Sequence, residues 1–387
     1  MNLPSNQNHL HVFVHLARGF GRSAWKRQWD EGRIVGINHD DPYGYRQAEE
    51  MGCTLEQSED YAEGYLTRLL RLSVRAILGF DLLHAWRNRK GIFAAQIVWT
   101  HTESQALAVL LLMRLHAPDQ RSVAVIAQTV WVMDNWESYS LLRRAFYRSL
   151  LQRADVLTFL SPSAAVMAMQ RFPGSRVEFV KYGIRADQPL ALVNRAVHTP
   201  IRVLTMGNDR HRDWPTFIAA IKNDPRYVAK AATGAKIKRL LANVHNINRE
   251  KANTNDQLME LLRWADVAVI CLLENLHASG ITVIEEAVLC GIPVITTDVG
   301  GLRGYFGPEE VTYVPANDPE ALRSAIDRLM ANEQMRRQKA RNALMRMKNG
   351  DLNSRSFVAR HVELSNDLLR SRRAAYPSEA FSSAARP

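Results

Sequence analysis

The feature that most constrains this chain is a recurring pair of segments. A short run of consecutive apolar residues is followed by a stretch whose apolar residues recur three and four apart. Runs at residues 11–16, 34–37, 97–100, 122–127 and 155–160 are too short for helices. The run 122–127 does not alternate with polar residues, which is the pattern of a strand covered on both faces. Between them, residues 61–78 carry Leu66, Leu69, Leu70 and Val74 at helical spacing, and residues 103–116 read as a nearly all-apolar, buried helix. Residues 141–151 and 163–171 are helical again. Strand–helix–strand units require parallel pairing, because a crossover helix returns the chain to the same end of the sheet.

The series then starts over. Residues 177–181 read as a closing strand, followed by Gly183 and a loose stretch over 185–200. From Ile201 a second set begins, with strands at 201–206, 227–232, 266–272 and 293–297 and helices at 214–221, 256–263 and 281–289. Two further helical patterns cover 318–348 and 357–370. The expectation is an α/β chain of two doubly wound, Rossmann-like domains facing each other across a cleft, over residues 1–185 and 186–355. A helix over 356–373 crosses back to the first domain, and residues 374–387 form a flexible tail. The cleft is the expected ligand site.

Hydrophobic residues make up 47% of the 387, enough for two cores and too many for a disordered chain. Lys and Arg number 50 against 39 Asp and Glu, a formal charge of +11 that favours nucleic acid, an anionic membrane or phosphorylated small molecules. Nucleic acid is disfavoured, because the basic stretches 87–90 and 336–348 lack interleaved aromatics. Cys53, Cys271 and Cys290 form no CxxC pair, so neither a zinc site nor an oxidising compartment is indicated. The N-terminus lacks the pattern of a signal peptide, and the longest aliphatic stretch, 106–113, is far short of the ~20 residues a spanning helix needs. A cytoplasmic protein is expected, peripheral at most on the inner face of the plasma membrane. The segment 141–151, LLRRAFYRSLL, mixes apolar residues and arginines as interfacial helices do.

Residues 265–305 carry the chemistry. A strand ends near Leu272, and a polar turn delivers Ser279 and Gly280 to the start of a helix. Ser279 is a candidate N-cap, and Gly280 lets an anion approach the N–H groups at the positive end of the helix. Glu286 lies about two turns, or roughly 10.5 Å, further along. Ser279, Thr282 and Glu286 then share a face, so one rigid rod could hold a phosphate at its start and a sugar diol at Glu286.

Glu286-Ala287, Cys290-Gly291-Ile292-Pro293-Val294-Ile295 and Asp298-Val299-Gly300-Gly301 resemble the C-terminal signature of family 4 glycosyltransferases, with looser similarity over most of the chain. The resemblance implies a GT-B fold and a retaining transfer from a nucleoside diphosphate sugar to a glycan or lipid-linked acceptor. It implies no metal and no cofactor beyond the donor as co-substrate, and a place in exopolysaccharide or other cell-envelope glycan biosynthesis. By resemblance, Glu286 holds the ribose hydroxyls, and Ser279, Gly280 and Ile281 form the loop that meets donor phosphates and sugar hydroxyls. The family's first glutamate falls at Ala278, while Glu274 lies four residues too early and His277 is a polar substitute nearby. That departure keeps a catalytically silent nucleotide-sugar-binding protein open as an alternative, and a nucleotide-sugar epimerase, which shares the two-domain architecture, is another.

The loop from Gly207 to Trp214 matches the segment in which the family places an Arg and a Lys against the leaving diphosphate, here Arg210 and Arg212. Fixed cations there would stabilise the charge that grows as the glycosidic bond breaks. On the acceptor side, Gly19 and Gly21 resemble the family's glycine-rich loop, and Met133-Asp134 stands where relatives carry a His-Asp pair, making Asp134 a catalytic candidate. His101 and Glu103 sit at a strand's C-terminal end, where clefts form, and Trp131 and Trp136 are candidate sugar-stacking rings. His39-Asp40-Asp41 before Pro42 reads as a turn, so no metal is assigned.

Overall fold

A computed structural model describes residues 9–116, 123–186 and 196–375. The readings of the N-terminal segment, of part of the loose stretch 185–200 and of the tail beyond 375 lie wholly or partly outside the described residues. Two six-stranded sheets are present, both parallel. The first contains β1 (Leu10–His15), β2 (Cys53–Gln57), β3 (Ile97–Thr100), β4 (Ala124–Thr129), β5 (Val156–Phe159) and β6 (Val177–Phe179), in spatial order β2-β1-β3-β4-β5-β6. The second contains β7 (Ile201–Met206), β8 (Tyr227–Ala232), β9 (Ile247–Glu250), β10 (Val267–Ile270), β11 (Val294–Thr297) and β12 (Thr312–Val314), in order β12-β11-β10-β7-β8-β9. Helices cover both faces of each sheet, so every residue of β3, β4, β5, β10 and β11 is buried.

One expected strand is absent. Residues 34–37 form an irregular loop, and the second strand of the first sheet is Cys53–Gln57. The reason is visible at Gly36, whose φ is +117°, and whose N–H donates to Asn255 Oδ1 of the other domain at 2.8 Å. This backbone serves the cleft instead of a ladder. Cys53–Gln57 is an edge strand that alternates buried and exposed, a weaker signal than the continuous runs at the sheet centre.

The last helix, Ser354–Ala375, returns to the first domain. Phe357 and Val358 join Val12 and Trp99 in one core cluster, and buried Trp99 Nε1 donates to Ser365 Oγ at 2.9 Å. In the first sheet β1 lies between β2 and β3, and in the second β7 lies between β8 and β10. The switch points therefore fall between β1 and β3 and between β7 and β10. Loops leaving the C-terminal ends of these strands diverge and open a crevice. Gly19, Gly21 and His101 follow β1 and β3; the 207–213 loop and the 271–280 turn follow β7 and β10.

Candidate active site

The two loops of the second domain are zipped together before they meet any ligand. Asp213 N–H donates to Cys271 O at 3.0 Å, and Leu273 N–H donates to His211 O at 2.8 Å. Arg212 is thereby threaded between them, only 7% exposed, with Nε donating to Met206 O and Nη1 to Ser279 Oγ. Two glycines make room for it. A Cβ at Gly207 would collide with the guanidinium, and one at Gly280 would lie 2.9 Å from Nη1. Both glycines have positive φ, +127° and +85°. Burial lowers the Arg212 pKa to about 10, so the group keeps its charge at neutral pH. Both hydrogen-bond acceptors of this cation are uncharged, and it stands at the N-terminus of the helix Ile281–Leu289. A cation and a helix dipole then favour the same anion.

Glu286, two turns along that helix, is 6% exposed and accepts the Ile37 N–H at 3.3 Å. Burial lifts its pKa to about 7. It lines a cavity of about 270 Å³ with Gly36, Asn208, Thr233, Lys251 and Asn253, reached from both domains. The carboxylate thus faces the inter-domain crevice.

Around Ser279 the structure corrects the sequence reading. The N-cap of the helix is Gly280, in the left-handed region, and no side chain caps it. The Ser279 hydroxyl instead donates to Asp209 Oδ2 at 2.5 Å, while its N–H is held by Asn275 Oδ1. The Ile281 N–H donates to Ala278 O, so it is not available to a phosphate. Thr282 is exposed, and Val283 is the neighbour that lines the cavity beside Glu286. Arg210 is exposed too, and its Nη2 crosses to Asn135 Oδ1 of the first domain at 2.7 Å. Only Arg212 of the two arginines reaches the helix start.

His277, read from sequence as a polar substitute, is the hub of the crevice. Its Nδ1 lies 3.0 Å from Asp134 Oδ2 and its Nε2 2.7 Å from Asp209 Oδ2. A ring facing a carboxylate at each nitrogen donates from both and is an imidazolium. Burial opposes that charge, but the bonds to Asp134 and Asp209 outweigh it and raise the pKa. The same bonds hold both carboxyls below their ordinary value against the opposing effect of burial. The Trp131 ring packs on His277 with centroids 4.0 Å apart, which suits a cation over an aromatic face. Asp134 also accepts the Leu276 N–H at 2.9 Å, so it ties the first domain to the second. Asp134, His211 and His277 offer ligand atoms within 4.8 Å of one another, the group among the described residues that could hold a metal. Carboxylates already face both ring nitrogens of His277.

On the acceptor side, His101 closes β3 with Nδ1 2.9 Å from the Tyr45 hydroxyl and the Tyr43 ring stacked on it at 3.7 Å. Burial pushes its pKa down to about 3, so it is neutral. The Gly19 N–H donates to Asp60 Oδ2, and Gly21 packs where a Cβ would meet the Ser58 carbonyl. Two expected cleft groups lie elsewhere. Glu103 Oε2 accepts the Val130 and Trp131 N–H groups and positions that loop, and Trp136 is buried against Phe172 in the core. Asp41 accepts the Arg46 N–H, the turn role expected of it. Glu274 is exposed, and Ala278 is buried at φ +54°.

Sequence reasoning missed Asp209, His211, Asn275 and the 35–37 loop. Asp209 and His211 lie inside the loop singled out for Arg210 and Arg212, where the match pointed to the arginines alone. Nothing local marked Gly36 and Ile37, whose partners are more than 200 positions away.

Residues 226–346 match the family model described as glycosyl transferases group 1. No protein of curated function matches the sequence. Among solved structures, sucrose-phosphate synthase from Thermosynechococcus elongatus is 16% identical, with a TM-score of 0.71 over 93% of this chain and 100% of that one. Anabaena HepE, in complex with UDP-glucose, is 12% identical, with a TM-score of 0.63 over 93% and 99%. A glycosyltransferase from Rickettsia africae is 13% identical, with a TM-score of 0.62 over 94% and 99%. These likenesses carry the fold, GT-B, and the family match carries the resemblance of the second domain to group 1 glycosyltransferases.

Proposed function

We propose, from the premise of a GT-B chain whose second domain is of the group 1 glycosyltransferase type, that this protein transfers a sugar from a nucleoside diphosphate sugar. The acceptor is a glycan or a lipid-linked glycan at a membrane surface, and the anomeric configuration is retained. The observation that carries the reading is the pairing of buried Arg212 at the start of the helix Ile281–Leu289 with Glu286 two turns on, beside a cavity of about 270 Å³. In this reading the diphosphate sits at Arg212 and Gly280, and the ribose diol hydrogen-bonds the Glu286 carboxylate. HepE, a relative in fold, binds UDP-glucose, which supports a donor of this class.

As the bond to the sugar breaks, negative charge grows on the diphosphate, and the fixed guanidinium stabilises it without reorganising. That role makes a divalent cation unnecessary, so turnover is expected to persist in excess chelator. In this reading the Asp134–His277–Asp209 cluster, joined to Arg212 through Ser279, supplies ionised groups near the diphosphate seat.

A thermal-shift panel of nucleoside diphosphate sugars tests the assignment, since a ligand of the folded state raises the melting temperature by mass action. One donor is expected to shift the parent. Glu286→Ala abolishes the shift, and Arg212→Ala weakens donor binding about 10- to 100-fold, the loss of a buried charged hydrogen bond. An intact Glu286→Ala protein that binds every donor like the parent would overturn the site. Retention is read from the anomeric coupling of the product by NMR.

A further inference from the structure

The helix Tyr65–Leu78 is inside out. Its only buried residue is an arginine, Arg71, and most of its large apolar side chains face solvent, Leu78 alone packing on the core. Tyr65 is 80% exposed, Leu66 77% and Ile77 74%, with Leu69 and Leu70 each more than half exposed. At 100° per residue, Leu66, Leu69, Leu70 and Ile77 fall on one face, and Arg68, Arg71 and Arg75 on the opposite one. On that face the fold grips Arg71 alone, held by Glu63 at 2.9 Å and by Asp81 at 2.6 Å, while Arg68 and Arg75 are exposed. The apolar face is therefore presented by design of the anchoring, not left over from a poorly packed core.

The neighbouring helix Leu141–Leu151 extends the face. Leu141 and Leu142, at its start, are 81% and 85% exposed, and Arg143 Nη2 donates to Ile77 O, joining the two helices. The two segments, YLTRLLRLSVRAIL and LLRRAFYRSLL, contain six arginines and no acidic residue. An exposed apolar patch of this extent marks an interaction surface. Arg148, seven residues after Leu141 and on its side of the helix, sets positive charge beside the leucines, with exposed Arg68 and Arg75 behind them, and this sign selects among partners. A second copy of the chain would bring arginine against arginine, whereas an anionic lipid surface is complementary and also accepts the leucines.

We propose that the helices Tyr65–Leu78 and Leu141–Leu151 together form a docking face for an anionic bilayer, entered by Leu66, Leu69, Leu70, Ile77, Leu141 and Leu142. No helix among the described residues is long and apolar enough to cross a membrane, so contact through this face is interfacial. The face belongs to the first domain, the side assigned to the acceptor. The inference gives that assignment its partner and rests on it only for direction: a lipid-linked acceptor would be met by the domain that touches the bilayer.

The test is flotation of the full chain with vesicles of phosphatidylcholine containing about a third phosphatidylglycerol, against phosphatidylcholine alone. The parent is expected to float with the anionic vesicles and to stay down with neutral ones. The double variant Leu66→Glu/Ile77→Glu loses at least about tenfold in vesicle partitioning. Thermal melting and the donor-induced shift of that variant are measured alongside; both are expected to match the parent, since neither side chain supports the core or the donor site. If the double variant fails to fold, Leu141→Ser/Leu142→Ser, at a helix start, gives the same reading. A parent that floats with neither vesicle, or that forms dimers dispersed by these substitutions, overturns the proposal. Donor binding that fails while flotation succeeds overturns the transferase reading alone.

Discussion

Asp134, Asp209 and the imidazolium between them form the tightest electrostatic unit in the crevice, and each depends on the others. Removing His277 leaves two half-buried carboxylates without the cation between them, so His277→Ala is expected to cost about 2–3 kcal/mol of stability, measured by denaturant unfolding. Glu286 makes a second, signed prediction. Its pKa of about 7 leaves it partly protonated before donor binds, and a carboxylic acid is a poorer acceptor for two ribose hydroxyls. Donor affinity is therefore expected to rise about tenfold between pH 6 and pH 8, and to lose that slope in Glu286→Gln. Calorimetric titration at the two pH values decides it. Glu285, one residue earlier, is fully buried, and both of its carboxyl oxygens lack a hydrogen-bond partner. Burial, with the adjacent Glu286, holds its pKa well above the ordinary carboxyl value. A folded-state pKa raised in this way means that the native protein binds the extra proton, so stability falls as pH climbs above the unfolded value. Glu285→Gln is expected to raise the unfolding midpoint at pH 8 and to change it little at pH 4.

At the scale of the element, the helix Ile281–Leu289 is a rod whose start is shaped by backbone, not by a capping side chain. Gly280 has φ +85° and stands against the Arg212 guanidinium, so Gly280→Ala both strains the backbone and pushes the cation aside. The expected strain is about 1–2 kcal/mol. Donor affinity is expected to fall further than that strain alone explains, because the anion seat is displaced as well; melting and donor titration of the same variant separate the two. The helix Tyr65–Leu78 teaches the opposite lesson about periodicity. Its leucine spacing shows that a helix forms, and the amphipathic pattern is real, but the pattern does not state which side is wet. The ion pairs of Arg71 with Glu63 and Asp81 fix which side of the helix meets the fold.

For the whole molecule, the domains are joined by apolar packing of Ile37 and Phe179 on the second core and by long-range polar contacts. Asp134 accepts the Leu276 N–H, Ser161 Oγ donates to Leu276 O at 2.6 Å, and Glu286 accepts the Ile37 N–H. The returning helix Ser354–Ala375 completes the first core. Asp134→Ala cuts one of the cross-crevice ties without touching either core, so the expected outcome is a more open pair of domains. Small-angle scattering is expected to show a larger radius of gyration for this variant without donor, with each domain still folded by circular dichroism.

The strand–helix alternation by itself determined two parallel, doubly wound sheets, because continuous apolar runs leave a chain no other way to cover both faces of a strand. The glycine-bounded helix start and Glu286 were legible for a related reason: their spacing on one helix is local geometry, settled by 3.6 residues per turn. The identity of the cap, the pairing of His277 with two aspartates and the use of residues 35–37 were decided only by tertiary structure. So was the outward aim of the 65–78 leucines. Each depends on which groups, distant in sequence, compete for the same proton or the same apolar surface, and that competition is resolved only when both domains are folded together.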